Sequence, residues 1–406
     1  MHPGRALIIG GSVGGLFVAN LLRAQGWDVA VFERATGDLS GRGAAIGLTE
    51  DLAAVMRRLG LSSHAQNSTN VRGYLTLGRD GAVMLERPDP VATAAWAYVY
   101  RPLRQALPDE FYHAGIALVS VEQRDKKVIA TFADGSVQTG DLLIATDGIY
   151  STVRRQLLPQ AKPEYAGYVA WRGVLDETEL PREYHDLIFN HVTFCFPTGE
   201  LLLCIPIPVD DSAGAAAQQR RRCCFIWYRP ADFEHELPAL CTDASGKQHG
   251  ITIPPPLIRP EVVGELKARA QALLPPLVAD MVQRVERPLF QAIFDLESPQ
   301  LVFDRVALLG DAAFVARPHV VAGVTKAALD ANGLADALAD EKDLTSALAR
   351  YDRERRDFGS KIVAHARYLG TYLGAHTRHL ATDEYPSDRR PDVMMRDYGA
   401  AHLLRR

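Results

Sequence analysis

The residues with the clearest chemical potential stand near the start of the chain. The stretch ALIIGGSVGGLFVANLLRAQG, Ala6 to Gly26, sets Gly10, Ser12, Gly14 and Gly15 between an apolar run and an apolar pattern at helical spacing. A glycine turn from strand to helix leaves backbone N–H groups open at the helix N-terminus, where a pyrophosphate can approach closely and meet the positive end of the helix dipole. Against the spacing GxGxxG the middle glycine is Ser12, a small change, while Gly11 and Gly14 add freedom. Glu33 ends the next strand, where a carboxylate can accept hydrogen bonds from an adenosine ribose and would repel a 2′-phosphate. The motif points to FAD or NAD and does not separate them.

Two further acids follow apolar strands. DLLIATDGIYSTVRRQLL places Asp147 and Gly148 at a strand end, with Ser151 and Arg154 at the start of a helix. RVALLGDAAFVARPHVVAGVTKAALDA places Gly310 and Asp311 after another strand, then Pro318, His319, Gly323 and Val324 before a helix. A carboxylate such as Asp311 can bind polyol hydroxyls, and the helix amides after Gly323 can stabilise negative charge.

These residues need a scaffold, and the pattern supplies one. RALIIGG, GLFVANLLRAQG and DVAVFER read as a βαβ unit. Val119 to Gly148 has hairpin punctuation and adds strands to that layer. From Tyr168 to Arg229 the runs YVAWRGVL, VTFCFP, LLLCIPIPV and CCFIWYRP are strand-like, whereas GELKARAQALLPPLVADMVQRV is helical around Pro275 and Pro276. LVFDRVALLGDAA returns to a buried strand, and the rest is helical. The fold class is therefore α/β: a Rossmann-like domain (1–75, 98–165 and 286–342) interleaved with a β-sheet substrate domain (76–97 and 166–285), plus C-terminal helices (343–406). The 406 residues carry a net charge of −4, which argues against a nucleic-acid partner. Five cysteines without CxxC spacing argue against a disulfide framework or metal site and for a reducing cytoplasm. No apolar run is long enough for a membrane span.

Together the three motifs resemble the single-component, FAD-dependent aromatic hydroxylases typified by para-hydroxybenzoate hydroxylase. YAGYVAWRGV, FIWYRP and GDAAFVARPHVVAGVTKAA look most like the hydroxylases of hydroxylated pyridines in that family, such as 2,6-dihydroxypyridine 3-hydroxylase and 6-hydroxy-3-succinoylpyridine hydroxylase. The resemblance implies FAD held by Gly10, Ser12, Gly14, Gly15, Glu33, Arg34, Arg42, Arg101, Asp147, Asp311, Gly323 and Val324, with Arg104 the rival of Arg101. It also implies NADH or NADPH as transient reductant. O₂ would add to the reduced flavin, and the distal oxygen of the resulting C4a-hydroperoxide would pass to a small hydroxylated aromatic or pyridine ring. The chain departs from the family pattern at Phe314, where histidine is common, and at Ala45, where glycine is usual.

His319, where the family's loop passes the flavin, is a catalytic candidate that could orient or deprotonate a ring hydroxyl, since an imidazole has an ordinary pKa of about 6.5, its other reading being a loop histidine bonded to backbone. Tyr228 is the second catalytic candidate; alternation sends it and Trp227 to opposite faces of a strand, with Trp227 in the core. Trp171, Arg172 and Pro318 are expected against the substrate, although Arg172 suits an inter-lobe anchor as well. Two other readings remain: an FAD oxidoreductase that inserts no oxygen, and a nucleotide-binding protein without catalysis. The apolar helical tail would suit a homodimer contact.

Overall fold

The computed structural model describes residues 3–41, 45–61, 68–209, 220–373 and 391–399. Its first layer is a six-stranded sheet in the order Val302–Phe303, Val306–Leu308, Leu142–Ala145, Arg5–Ile9, Asp28–Glu33, Tyr112–Ala114. All pairs are parallel except the hairpin of the first two strands. Ala6–Ile9 and Leu142–Ala145 are buried on both faces, which is why they read as unbroken apolar runs. Helices Val13–Ala24, Ala97–Ala106 and Gly323–Asp340 pack together beside this sheet.

The hairpin segment departs from expectation. Leu118–Arg124, Lys127–Phe132 and Val137–Gly140 form an antiparallel sheet of their own, and only Leu142–Ala145 enters the parallel layer. The hairpin buries alternate residues, Val128, Ala130 and Phe132, with Phe132 tilted on Phe32 of the parallel sheet at 4.5 Å between ring centroids. It packs as a cover, which its short turns favour over a parallel crossover.

The second layer is an eight-stranded sheet in the order Phe314–Val315, Leu289–Glu297, Glu164–Asp176, Arg221–Pro230, Leu201–Pro208, Val192–Cys195, Tyr74–Leu77, Val83–Arg87. Leu289–Glu297 lies in the 286–342 range read with the parallel sheet, but it pairs antiparallel with Glu164–Asp176, its backbone groups satisfied there. Val91–Ala95 likewise leaves the second lobe to join Ala45–Leu48 and Thr69–Val71 in a small sheet. One face of the large sheet packs on helices Pro260–Leu273 and Pro276–Arg284, separated where Pro275 breaks the run. The other face carries Tyr168, Ala170, Ile226 and Tyr228.

Helix Leu344–Gly370 crosses from one layer to the other. Its Tyr351 hydroxyl donates to the Leu308 carbonyl of the parallel sheet at 2.8 Å, while Arg367 reaches Asp295 of the large sheet at 2.8 Å. Asp295 also accepts from Arg317 at 2.7 Å, and both partners of that pair are almost wholly buried. Gly359 allows this crossing: a side chain there would collide with Phe314, which fills the notch. That packing accounts for an aromatic at 314. The tail helix spends its apolar residues, among them Leu348, Ile362, Val363 and Leu369, inside the same chain, so the apolar face expected to suit a dimer is already covered.

Removing one partner of a buried pair leaves the other charged and desolvated. Asp295→Ala should therefore lower unfolding stability by about 3 kcal/mol or more, as read from a urea transition, chiefly through buried Arg317 rather than the partly exposed Arg367. A loss below about 1 kcal/mol would show that the triad is not a structural clamp.

Candidate flavin cleft and substrate face

Four chemical turns leave the same edge of the parallel sheet. The register Phe32↔Ile9↔Ala145↔Leu308 aligns four strand ends, and the Gly10 turn, Glu33, Asp147 and Gly310-Asp311 follow directly. The carboxyl edge of an open α/β sheet is where ligands bind. A cleft of about 400 Å³ opens there, lined by Gly10, Ser12, Glu33, Arg34, Asp147 and Thr152 among others.

The glycine turn is fixed by backbone contacts. Gly10 has φ 107° and its missing side chain would collide with the Thr146 carbonyl, while one at Gly15 would collide with the Gly10 carbonyl. Gly14 has ordinary clearance, 3.4 Å to Leu309. Ser12 is the N-cap of helix Val13–Ala24, and its side chain makes no capping bond. Glu33 is buried; its Oε2 accepts from Gly11 N at 2.8 Å and its Oε1 from Ala35 N at 2.9 Å. Both oxygens thus brace the turn, and each keeps a lone pair for a ribose. Arg34 stands exposed at the mouth.

Asp147 accepts from Thr152 N at 2.7 Å through Oδ2, while its buried Oδ1 has no partner among the described residues. Burial raises its carboxyl pKa despite the hydrogen bonds to Ser151 and Thr152 that lower it. Arg154, buried one turn along, donates from Nη1 to the Ala312 carbonyl at 2.9 Å and from Nη2 to the Ile149 carbonyl, lacing the two acid turns together. Asp311 carries an exposed side chain at this edge, yet it is hemmed in enough that desolvation raises its pKa, against the pull of Lys326. Asp330 takes Gly310 N at 3.2 Å and Arg355 Nε at 2.8 Å, and Lys326 Nζ lies 3.5 Å away. Gly323 and Val324 open helix Gly323–Asp340, whose Ala322 N-cap supplies no side-chain acceptor, so the amides are left for a ligand.

Of the two rival arginines, Arg104 is engaged locally with Leu107, Asp109 and the Tyr112 ring, whereas Arg101 is exposed near Asp38. Arg42 lies outside the described residues. Among the described residues no group of three metal-ligating side chains occurs, all five cysteines are free and buried, and no helix is long and apolar enough to cross a membrane.

The substrate candidates divide between the two faces of the large sheet. Trp171 pairs with Trp227, and both are buried against the Pro260–Leu273 and Pro276–Arg284 helices. Trp171 was expected against the substrate; strand alternation puts it on the opposite face from Tyr228, where it cannot share a cavity with it. On the other face Tyr228 and His319 meet with ring centroids 4.7 Å apart, and Tyr168 Oη lies 2.7 Å from His319 Nε2. Both candidates are enclosed, His319 0% and Tyr228 1% exposed. Burial, with Arg317 assisting, pushes the His319 pKa down to about 3. The candidate base, read with an ordinary imidazole pKa, is thus a neutral ring packed behind the surface. Its loop is held by Arg317 and by Val321, which adopts a left-handed conformation, φ 53°, that costs a β-branched residue about 1–3 kcal/mol. Pro318 is half-buried at the start of this turn. Arg172 is half-buried on the same face as Tyr228, with no hydrogen bond or ion pair from a described residue and a buried Nε lacking a partner.

Sequence reasoning missed Asp295, Arg317, Lys326 and Asp330. The Lys-x-x-x-Asp spacing in TKAALDA was a usable signal, since two charges one helical turn apart inside an apolar run imply a buried pair.

Comparison with known proteins places this geometry. A parallel sheet with a glycine turn and acids at its carboxyl edge, joined to a large, mostly antiparallel sheet, is the architecture of flavin-dependent hydroxylases. A family model described as FAD binding domain matches residues 5–223, and one described as FAD binding domain-like matches 165–295. The chain is 31% identical to the 2,6-dihydroxypyridine 3-monooxygenase of Paenarthrobacter nicotinovorans over 91% of each chain. It is 28% identical to the FAD-dependent urate hydroxylase of Klebsiella pneumoniae over 89% of this chain and 88% of that one. The solved structure of 2,6-dihydroxypyridine-3-hydroxylase from Arthrobacter nicotinovorans superposes with TM-score 0.86 and 27% identity, covering 92% of this chain and 94% of that one. Klebsiella pneumoniae HpxO complexed with FAD and uric acid shares the fold at TM-score 0.73 and 22% identity, covering 99% and 95%. The chain belongs to the FAD binding domain family. It is an FAD-dependent monooxygenase, with NAD(P)H as the family's reductant; the alternative without oxygen insertion finds no support in these relatives.

The residues at the cleft fit FAD: the backbone cradle tolerates no side chain at Gly10 or Gly15, and Asp147 Oδ1 is an orphaned acceptor. Asp311→Ala should purify largely free of FAD while its urea midpoint changes little, measured by the ratio of visible flavin to protein absorbance; a fully yellow variant would remove Asp311 from the cofactor site. His319 binds a proton near pH 6.5 when unfolded and only near 3 when folded, so acid favours unfolding between those values, by about 3 kcal/mol at pH 4.5. His319→Gln should flatten that loss when urea transitions at pH 7 and 4.5 are compared, and an unchanged slope would mean His319 is not buried neutral.

Proposed function

We propose that the protein hydroxylates a small hydroxylated aromatic or pyridine ring with O₂ and NAD(P)H, binding the ring as an oxyanion against Arg172. The observation that carries this reading is the Arg172 guanidinium. It is half-buried on an apolar sheet face with no described protein partner, which is costly unless an anion completes it. Relatives named for dihydroxypyridine, hydroxynicotinate and urate act on rings with acidic oxygens, and such rings suit this cation.

In this reading the glycine turn Gly10 to Gly15 and the N-terminus of helix Val13–Ala24 hold the pyrophosphate, with Glu33 and Arg34 at the ribose. Asp147 lines the cleft, and Arg101, exposed near Asp38, would reach the cofactor from outside it. Asp311 would hold the ribityl hydroxyls, and the amides of Gly323 and Val324 would offer donors to the flavin pyrimidine. Bound FAD supplies oxygen activation. Arg172 favours the deprotonated ring hydroxyl, which makes the neighbouring ring carbon more nucleophilic. Tyr228 and His319 act as positioning residues: the Tyr168–His319 hydrogen bond sets the ring that backs Tyr228. Pro318 begins the loop that carries them. The apolar face excludes water from the oxygen transfer. Five reduced, buried cysteines support a cytoplasmic setting. A homodimer would have to use a surface other than the tail's apolar face.

The test is aerobic NADH and NADPH oxidation with parallel O₂ uptake and product mass across hydroxypyridines and hydroxybenzoates. A compound that stimulates both and gains one oxygen atom supports the reading; NAD(P)H oxidation without any oxygenated product across the panel overturns it. Arg172→Met should raise KM about tenfold or more for that compound with FAD content unchanged, by analogy with losing a charged hydrogen-bond partner. An unchanged KM would make Arg172 a structural anchor.

A further inference from the structure

The last described segment, 391–399, lies against the substrate face of the large sheet. Val393, Met394 and Met395 are buried. Arg87 donates to the Met395 carbonyl, and the Thr76 hydroxyl sits 3.0 Å from Met395 Sδ. Tyr368 Oη donates to Asp397 Oδ2 at 3.0 Å, and His365 Nε2 lies 2.8 Å from the Gly399 carbonyl. Anchors on both a sheet edge and the long helix fix the segment from two sides.

These anchors place Tyr398 at one end of a cross-strand row. Arg172 pairs with Ile226, Ile226 with Leu203, Leu203 with Phe194, and Phe194 with Thr76. Residues opposite one another in register share a face, so the row runs from Arg172, without a partner among the described residues, over the apolar Ile226 and Leu203 to an aromatic end. Tyr398 meets Phe194 edge-on at 4.9 Å and Tyr74 at 6.4 Å. Three strand spacings separate Arg172 from Phe194, roughly 14 Å before side chains are counted. That span, shortened by a guanidinium at one end and a phenol at the other, suits a single ring better than a fused pair.

We propose that this C-terminal segment forms one wall of the substrate site and that Tyr398 limits the size of the ring admitted. The inference rests on the ring-hydroxylase reading above. Tyr398 is half-buried, while Met394 and Met395 beside it in the segment are buried. Its phenol stays protonated, because burial, with Tyr228 and Tyr74 nearby, raises its pKa well above the ordinary value. A flat aromatic wall excludes a larger ring by contact, a sharper discrimination than apolar affinity for a smaller one can give.

The test uses the full-length, FAD-loaded protein and the change in flavin visible absorbance on titration with 2,6-dihydroxypyridine and with a dihydroxyquinoline. Tyr398→Ala should weaken the single ring and strengthen the fused pair, moving the ratio of the two dissociation constants by about tenfold or more with FAD content unchanged. Tyr398→Phe should keep the wild-type ratio, and Tyr398→Leu, which retains apolar bulk if alanine costs folding, should move it in the same direction as alanine. A wild-type protein that responds to these rings, with a ratio unchanged within about twofold in both the Ala and Leu variants, overturns the wall. A wild-type protein whose spectrum responds to neither ring overturns the ring-hydroxylase reading, and this inference with it.

Discussion

The two halves of this enzyme meet through one buried carboxylate. Asp295 lies on a strand of the large sheet and accepts from Arg317, on the loop that follows the Gly310-Asp311 turn, and from Arg367, on the long C-terminal helix. Three elements distant in sequence are thus held by one group. A buried carboxylate is unstable alone, and two guanidiniums with directed hydrogen bonds satisfy it only in one relative arrangement. The loop carrying Pro318, His319 and the strained Val321 therefore keeps a fixed path between the flavin edge and the sheet face.

The same economy recurs at the cofactor edge. Glu33, Asp147 and Asp330 each bind backbone N–H groups of the turns beside them, so the acids that could have been ligands alone are also the braces of the cleft. Asp311 differs: it makes no such bond among the described residues and presents its carboxylate at the edge. Lys326 and Arg154 offset this concentration of negative charge. A rigid, preorganised cleft loses little on binding a long cofactor.

The face of the large sheet that carries Tyr228 is the one proposed to meet the substrate. Around Arg172 the face presents apolar residues such as Ala170 and Ile226 together with Tyr228, and His319 is kept neutral nearby by desolvation. An oxyanion meeting Arg172 there, as proposed, would be held more strongly than in water. The aromatic rings that enclose the face leave water little room at the oxygen-transfer step.

The sequence by itself determined the parallel layer, the glycine turn and the strand-end acids, because these depend on local patterns: unbroken apolar runs, glycines where backbone meets backbone, and acids directly after strands. It also determined that Trp227 and Tyr228 face opposite ways, which follows from the period of a strand. It could not place Trp171, since that requires knowing which face the helices Pro260–Leu273 and Pro276–Arg284 cover. The environment of His319 was equally hidden, because its lowered pKa comes from burial, among neighbours that include Tyr168, 151 positions away, and from Arg317, set there by a distant salt bridge. The row from Arg172 to Phe194 exists only once three strand pairings are in register. Only the tertiary structure decided which side chains share the face with Tyr228, because long-range pairing and burial, unlike a turn, leave no local signature in the chain.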